Sequence, residues 1–441
     1  MQSTTGREAV IEAARRARAA LPALARRSAE EKNRALVSAA GRMEERAEAI
    51  FAANREDLAR ALPLVEAGEM SQALYRRLKL DDEKLRDIVA GILQVAALED
   101  PVGKITLATE LDEGLRLYRV SCPIGVIGVI FESRPDALTQ IAALALKSGN
   151  AVLLKGGREA EHSNRILFDT FREASEHAGM PSDALALLES REDVEALLGA
   201  ESYVDLIIPR GSNALVRHIQ QNTNIPVLGH AEGICHVYVD ESADIEKALD
   251  ISLDAKVQYP SACNSVETIL VHRSVARDFL PRAVESLKGK RVEVRCDGRA
   301  IDEFGLAGVG RATEEDWRTE YCDMVVAIRV VDSIRQAIDH INEFGSHHTD
   351  AIITEDEAAF DLFFTGVDSA GVYLNASTRF ADGYRYGFGA EVGISTGKLH
   401  PRGPVGLEGL MTYKYKLVGT GQTVGLYSGP NARRFSHKEI E

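Results

Sequence analysis

Cysteine is scarce in this sequence, and the positions of the cysteines exclude two kinds of scaffold. The chain of 441 residues has Cys122, Cys235, Cys263, Cys296 and Cys322, an odd number at wide spacing with no C-x-x-C pair. Disulfide frameworks and cysteine-rich zinc sites need paired or closely spaced cysteines. The pattern favours a reducing compartment, and we predict a cytoplasmic protein.

Positive charge is also in short supply. Lysine and arginine number 52 against 67 aspartates and glutamates, which gives a formal net charge of −15. A surface of that sign repels a phosphate backbone, so we predict no nucleic-acid partner. An anionic substrate would need a locally basic pocket.

Long apolar runs are missing as well. The chain opens MQSTTGREAV and continues with charged, alanine-rich sequence, without the apolar core of a secretory signal. We find no apolar run of about 18 residues, the length that spans a bilayer. We therefore expect no membrane partner.

Two familiar ligand motifs are absent. No G-x-G-x-x-G fingerprint follows the first strand of the predicted sheet, and the similar G-F-G-A-E-V-G at 387–393 has one residue too many and no following helix. We interpret it as a loop. The pair His347-His348 has no carboxylate or cysteine at ligand spacing along the chain, so we predict no metal site.

Helices and then alternating strands make up what is present. Residues 7 to about 98 are rich in strong helix formers with apolar residues at helical spacing. Alternation at about 105–120, with the turn D-E-G at 112–114, predicts a hairpin. The continuous apolar run at 124–131 then predicts a strand buried on both faces.

Strands and helices alternate from this run onward. Further strands are predicted at 151–155, 184–188, 204–208, 225–228, 265–272, 324–331, 351–354 and 370–375. Such repeats build parallel sheets with helices on both faces. We predict an α/β fold of two doubly wound parallel-sheet domains plus a small β element, with residues 1–255, 256–375 and 376–441 as successive units.

Cys263 lies at the predicted junction of the two α/β domains. Most free cysteines are small buried hydrophobes, but a thiolate in a cleft between domains is a typical nucleophile. Position alone leaves the two interpretations equal.

Two other stretches could bind a nucleotide. The run K-G-G-R at 155–158 follows a parallel strand, where Lys155 and Arg158 could hold a ribose and a 2′-phosphate while Gly156 and Gly157 allow close backbone approach. The alternative is a solvated strand end. Gly211 and Ser212 precede a predicted helix whose first N–H groups favour a pyrophosphate, although a plain N-cap explains Ser212 equally well.

Taken together, these stretches resemble the aldehyde dehydrogenase superfamily from about residue 100 to 420. The stretches that carry the likeness lie at 121–136, 147–157, 209–213, 228–240, 257–272, 344–350 and 375–396. The likeness is to the branch that reduces an acyl phosphate, L-glutamyl 5-phosphate, to L-glutamate 5-semialdehyde with NADPH in proline biosynthesis.

The resemblance implies roles for particular residues. Cys263 is implied to be the catalytic thiol, Lys155 to contact the adenosine ribose, and Ser212 to meet the pyrophosphate. Glu320 is implied to bind the nicotinamide ribose. Arg158 stands where NAD-preferring members often carry glutamate, and a cation there favours the 2′-phosphate of NADPH.

Leu228 aligns with the glutamate that activates water in oxidising members. Leucine cannot accept a proton, which fits an enzyme that must reduce its thioester rather than hydrolyse it. The family's oxyanion-hole asparagine has no clear counterpart, so we consider the Cys263 N–H, Asn264, Ser133 and Arg134 as donors. Arg134 is also our candidate for binding the phosphate.

The remaining substrate contacts are predicted from loops expected to face the junction. The candidates are His347, His348, Ser377, Thr378 and Arg379.

The resemblance also implies partners. The 105–120 hairpin and the tail near 405–425 match the superfamily's oligomerisation elements, so we expect a homodimer or a tetramer. Glutamate 5-kinase, which supplies the unstable acyl phosphate, is considered as a docking partner.

Two alternatives stay open. One is an oxidising or CoA-acylating aldehyde dehydrogenase, and the other is a catalytically silent binding protein on the same fold.

Overall fold

The structure is a computed structural model that describes residues 2–132, 134–190, 192–230 and 232–440. Its first part is helical, as the composition predicts. Helix α2 starts at a capping box in which Ser28 and Glu31 satisfy each other's backbone N–H groups. The helices of this part are α1 (Gln2–Leu24), α2 (Ala29–Glu45), α3 (Ala47–Glu66), α4 (Gln72–Leu78) and α5 (Asp82–Ala97).

The predicted hairpin is present and belongs to a separate antiparallel sheet. Strands β1 (Ile105–Asp112) and β2 (Leu115–Pro123) pair across a turn in which Gly114 has a φ of 72°, a conformation that favours glycine.

The first parallel sheet follows. Its four strands lie in the order β5-β4-β3-β6, and all neighbours are parallel. The strands are β3 (Val126–Phe131), β4 (Ala151–Lys155), β5 (Leu185–Leu188) and β6 (Leu206–Arg210). The helices that connect and flank them are α6 (Pro135–Ser148), α7 (Glu161–His177), α8 (Glu192–Leu198) and α9 (Asn213–Gln221).

The second parallel sheet has seven strands in the order β10-β9-β11-β8-β7-β12-β13. Its strands are β7 (Cys235–Val239), β8 (Val266–His272), β9 (Glu293–Cys296), β10 (Gly310–Arg311), β11 (Val325–Val331), β12 (Thr349–Ile353) and β13 (Gly371–Leu374). Its helices are α10 (Ile245–Val257), α11 (Arg273–Gly289), α12 (Gly298–Phe304), α13 (Ile334–Phe344) and α14 (Glu357–Gly366).

The two sheets confirm the predicted fold class and correct two details. The strand predicted at 225–228 is wrong, because only an isolated bridge joins Val227 to Ile207 there. The strand β7 was not predicted, and it starts the second sheet before the boundary expected near residue 255.

The last part of the chain returns to the first lobe. Strands β14 (Gly393–Ser395) and β15 (Gly403–Val405) form a small hairpin, and Val392, Val405 and Leu410 join the core of the first sheet. The strand β16 (Met411–Val418) then pairs with β2, and β17 (Lys438–Glu439) pairs with β1. None of the helices in the described residues combines the length and hydrophobicity needed to cross a bilayer.

Candidate active site

Cys263 lies in the loop between α10 and β8, half-buried at the junction of the two sheets. The loop packs against the start of β7, where a Cβ added to Gly233 would lie 2.5 Å from the Cys263 Cα. The Cys235 S–H donates to the Cys263 carbonyl oxygen over 3.3 Å. Burial raises the pKa of Cys235 well above its usual range, so Cys235 remains a thiol that anchors the loop.

Two histidine rings face the Cys263 sulfur. One ring nitrogen of His230 and one of His348 lie with the sulfur within 4.8 Å of one another. The His230 Nδ1–H donates to the Ile394 carbonyl oxygen over 2.9 Å. Burial lowers the pKa of His230, despite the Ile394 hydrogen bond and Glu320 acting in the opposite sense. The ring is therefore neutral near pH 7, with its lone pair on Nε2.

Two arginines, Arg210 and Arg379, interact electrostatically with Cys263. Burial lowers the pKa of Arg210, while Glu391 and Cys263 act in the opposite sense and Arg134 adds to the lowering. Burial and Arg385 likewise lower the pKa of Arg379, against an attraction to Cys263. Arg210 and Arg379 thus place positive charge close enough to Cys263 for an electrostatic interaction with it.

The structure brings some predicted substrate residues to this loop. The Thr378 hydroxyl donates to the Asn264 carbonyl oxygen over 2.7 Å, and the Ser377 hydroxyl accepts from the Arg379 N–H over 3.3 Å. The Asn264 side chain is buried and donates from Nδ2 to the Ala381 carbonyl oxygen over 2.8 Å, which uses one of its two N–H groups.

Other predicted residues have different surroundings. His347 has a φ of 60° and its Nδ1 is hydrogen-bonded to the Asp368 carbonyl oxygen over 2.7 Å, which distinguishes it from its neighbour His348. Arg134 is the N-cap residue of α6 and interacts electrostatically with Arg210. Ser133 lies outside the described residues.

Lys155 is the last residue of β4 and lies at the carboxyl edge of the first parallel sheet. Its ammonium group is buried and donates to the Gly156 carbonyl oxygen, and burial lowers its pKa. A Cβ at Gly156 would lie 2.9 Å from the Asn164 Cγ, so the chain is tightly packed there. A shallow cleft opens beside it, lined by Gly156, Gly157, Arg158, Glu161, Asn164, Leu187, Leu188 and Glu189.

The start of α9 already holds an anion. The Ser212 N–H donates to the Glu132 carboxylate over 2.7 Å, and the Ser212 hydroxyl caps the helix by accepting from the Leu215 N–H. A Cβ at Gly211 would lie 2.8 Å from the Glu132 carboxyl carbon. A carboxylate in this position indicates that the helix start accepts negative charge.

Glu320 reaches the same helix from the second lobe. The Asn213 Nδ2 donates to Glu320 Oε2 over 3.2 Å, and Glu320 also acts electrostatically on His230. The contact between Asn213 and Glu320 therefore joins the start of α9 to the second lobe.

Leu228 is buried in the core of the first sheet. His230, two residues later, supplies the polar group beside Cys263, and sequence reasoning missed it. The only signal was a histidine inside the family-like stretch 228–240, and nothing local set it apart.

Cavity size alone does not identify this site. A larger cleft of about 560 Å³ is lined by charged residues of both signs, among them Asp297, Arg299 and Arg329, but Cys263 is not in its lining.

Comparisons with known proteins agree with this geometry. The sequence profile of the aldehyde dehydrogenase family matches residues 2–300. A gamma-glutamyl phosphate reductase of Natronomonas pharaonis is 55% identical over 418 residues, covering 95% of both chains. One from a Cyanothece species is 54% identical over 431 residues, covering 98% of both.

Comparison with solved structures supports the same family and fold. A gamma-glutamyl phosphate reductase of Thermotoga maritima superimposes with a TM-score of 0.90 at 40% identity, covering 94% of this chain and 99% of that one. An acetylating aldehyde dehydrogenase of Geobacillus thermoglucosidasius has a TM-score of 0.67 at 18% identity, covering 96% and 99%, and shares the fold. The chain belongs to the aldehyde dehydrogenase family and, within it, groups with the gamma-glutamyl phosphate reductases.

Proposed function

We propose that this protein reduces L-glutamyl 5-phosphate to L-glutamate 5-semialdehyde with NADPH and releases phosphate, a step of proline biosynthesis. The observation that carries the proposal is Cys263, which lies beside the imidazoles of His230 and His348 and interacts electrostatically with Arg210 and Arg379. The names of relatives at 54% and 55% identity support the same substrate.

Cys263 is the nucleophile of the proposed reaction. The His230 Nε2 lone pair accepts the thiol proton, and the sulfur attacks the γ-carbonyl carbon. The C–O bond to phosphate breaks, phosphate leaves with its electron pair, and a Cys263 thioester remains. After reduction at the same carbon, the C–S bond breaks and the semialdehyde leaves.

The chain fits the proposed cofactor at three points. Lys155 and Arg158 would hold the adenosine ribose and its 2′-phosphate, the N-terminus of α9 would take the pyrophosphate in place of the Glu132 carboxylate, and Glu320 would hold the nicotinamide ribose. Bound NADPH supplies the hydride that reduces the thioester.

Arginines provide the charge for the substrate. Arg134 interacts electrostatically with Arg210. We assign the leaving phosphate to this pair of arginines. Arg379, with Ser377 and Thr378 on the same turn, is assigned to the α-carboxylate. The tetrahedral oxyanion would accept from the Cys263 N–H and from the second N–H of the Asn264 amide.

Leu228 favours reduction of the thioester over its hydrolysis. Leu228 is buried and apolar, and we propose that the site contains no carboxylate base for water at this position. Transfer of the acyl group to CoA is the second candidate reaction, because Leu228 disfavours hydrolysis but not attack by CoA, and the fold is shared with an acetylating aldehyde dehydrogenase. Comparing turnover with phosphate and with CoA separates the two.

Replacing the nucleophile tests the proposal. In Cys263→Ala, oxidation of the semialdehyde with NADP⁺ and phosphate should fall by at least about a thousandfold, because no thioester forms. Cys122→Ser is the matched control, since Cys122 lies in β2, outside the two parallel sheets. Near-normal turnover by Cys263→Ala would disprove the mechanism.

Assembly and location are also proposals. We propose a cytoplasmic homo-oligomer in which β16 pairs with a second copy. We also propose a division into units at 1–255, 256–375 and 376–441, in which strand β7 of the first unit pairs into the sheet of the second. Docking of glutamate 5-kinase would protect the acyl phosphate from water.

A further inference from the structure

The group formed by His230, Cys263 and His348 has the composition of a transition-metal site. Its three ligand atoms lie within 4.8 Å of one another, and the two rings meet edge to face at a centroid distance of 5.0 Å. In a tetrahedral zinc site with one sulfur and two nitrogen ligands, the ligand atoms lie about 3.5 Å apart. Small side-chain rotations would therefore close the group around one ion.

Each of the two histidine rings has a hydrogen-bond partner at Nδ1, as metal-bound histidines usually have at the nitrogen that does not bind the metal. The His230 Nδ1–H donates to the Ile394 carbonyl oxygen, which leaves the Nε2 lone pair available. The His348 Nδ1 is hydrogen-bonded to the Thr349 hydroxyl over 3.0 Å. Such contacts fix the ring orientation of metal-bound histidines and raise their basicity.

His348 supplies the second, independent observation. Its side chain is only 1% exposed, and its Nε2 has no hydrogen-bond partner among the described residues. A buried nitrogen without a partner costs free energy, and coordination would satisfy it. Across residues 2–132, 134–190, 192–230 and 232–440, no other group of three histidine, cysteine or acidic side chains meets the same distance criterion.

We infer that Cys263, His230 and His348 form a binding site for a borderline-soft divalent cation, Zn²⁺ above all, that reversibly blocks the nucleophile. One thiolate and two imidazoles suit Zn²⁺ and do not suit Mg²⁺ or Ca²⁺. Binding replaces the thiol proton, which leaves to solvent, and it changes no oxidation state.

Positive charges around the three ligands disfavour a bound cation, and negative charges favour it. Arg210 and Arg379 repel a cation, whereas Glu320 and Glu391 act on the same group from other sides. The sulfur and the two nitrogens are therefore the groups that would hold the ion.

Zinc binding to the full-length protein tests the inference without using turnover. Competition against a chromophoric chelator should give one Zn²⁺ per chain, and Co²⁺ should produce a thiolate-to-metal charge-transfer band. Cys263→Ser, His230→Gln and His348→Gln should each weaken the affinity by at least about 100-fold. The matched controls His347→Gln and Cys322→Ser should bind as the parent does.

Alkylation gives a second readout. Saturating Zn²⁺ should slow modification of Cys263 by iodoacetamide at least about tenfold, and a chelator should restore the rate. Absence of both the charge-transfer band and this protection in the folded parent protein would overturn the inference, as would Zn²⁺ binding that survives Cys263→Ser. Either result leaves the proposed reductase activity standing, because that activity needs no metal.

Discussion

Gly233 determines where the proposed nucleophile lies. Its missing side chain lets the cysteine loop rest on the start of β7, and the neighbouring atoms are backbone atoms of Cys263 itself. A backbone contact cannot be relieved by a change of rotamer.

We therefore predict that Gly233→Ala lowers kcat by about 100-fold, since small misplacements of a reacting group have effects of that size. Gly41→Ala is the control, because a Cβ at Gly41 meets nothing within 4 Å. Steady-state kinetics and thermal melting of both variants provide the measurement. Normal kcat in a folded Gly233→Ala protein would show that the loop tolerates displacement.

His230 gives a prediction about pH. Removing the proton acceptor in His230→Gln should reduce kcat/KM by about 100-fold near neutral pH. The deficit should shrink as the pH is raised, because solvent then ionises the thiol without help. His177→Gln, on the exposed face of α7, is the control. A pH profile parallel to that of the parent would remove His230 from the chemistry.

Arg158 gives a prediction about the cofactor. It is exposed beside the cleft at Gly156 and Gly157, so Arg158→Glu exchanges attraction for repulsion of a 2′-phosphate. The ratio of kcat/KM for NADPH over that for NADH should fall at least about tenfold. An unchanged ratio would place the 2′-phosphate elsewhere.

For single functional residues, the sequence is informative only when the residue type is rare in the chain or when the residue lies in a long motif. Cys263 was ambiguous by position and became a candidate nucleophile through the family resemblance. His230 could not be chosen, because its role depends on a carbonyl of Ile394, far away in the chain. The position of His348 beside the Cys263 sulfur could not be predicted for the same reason, because the two residues are far apart in the chain.

Among the elements, β16 is the one that most needs a partner. It lies at the edge of its sheet, and Tyr415 and Leu417 are 60% and 58% exposed. An exposed apolar edge strand is a template for pairing with another chain.

Charges on this strand should prevent the pairing. The double variant Tyr415→Glu, Leu417→Glu should sediment with the 48.0 kDa mass of one chain, while the parent sediments as an oligomer. Leu399→Glu, at a residue 89% exposed outside this sheet, should leave the mass unchanged. A parent protein that sediments as a single chain would contradict the proposal.

The elements that were predictable are the ones with strong periodicity. The run that became β3 and the strand β4 are buried on every residue, and a continuous apolar pattern indicates such strands directly. Strand β7, with the sequence C-H-V-Y-V, is also buried throughout, but its polar histidine and the preceding glycine-rich stretch obscured it. Its partners β8 and β12 come from later in the chain.

For the whole molecule, a buried histidine links stability to pH. Burial, with smaller effects of His236 and Arg329, lowers the pKa of His340 to about 2. As the pH falls below the unfolded-state pKa of about 6.5, the unfolded chain binds a proton that the folded chain does not. The free energy of unfolding therefore decreases toward acid.

His340→Gln should remove this contribution. Below about pH 6 the parent should lose about 1.4 kcal/mol more per pH unit than the variant, and above about pH 7 the two slopes should agree. Urea unfolding at several pH values measures both slopes. Identical slopes at acid pH would mean that the folded protein protonates His340.

The arrangement of two lobes around one cleft was predictable from the alternation of strands and helices. The return of residues 390–410 to the first core was not, because the segment has few apolar residues in any regular period. That return places Glu391 and Ile394 against Arg210 and His230, and so completes the pocket around the thiol.

The central claim is that Cys263 carries the acyl group. Mixing the semialdehyde with NADP⁺ without phosphate should leave the thioester with no acceptor, and mass spectrometry after an acid quench should find a γ-glutamyl group on the Cys263 peptide. NADPH should form in a burst equal to the enzyme concentration, and phosphate should then restore turnover. A γ-glutamyl group on any other residue, or a burst that persists in Cys263→Ala, would contradict the account.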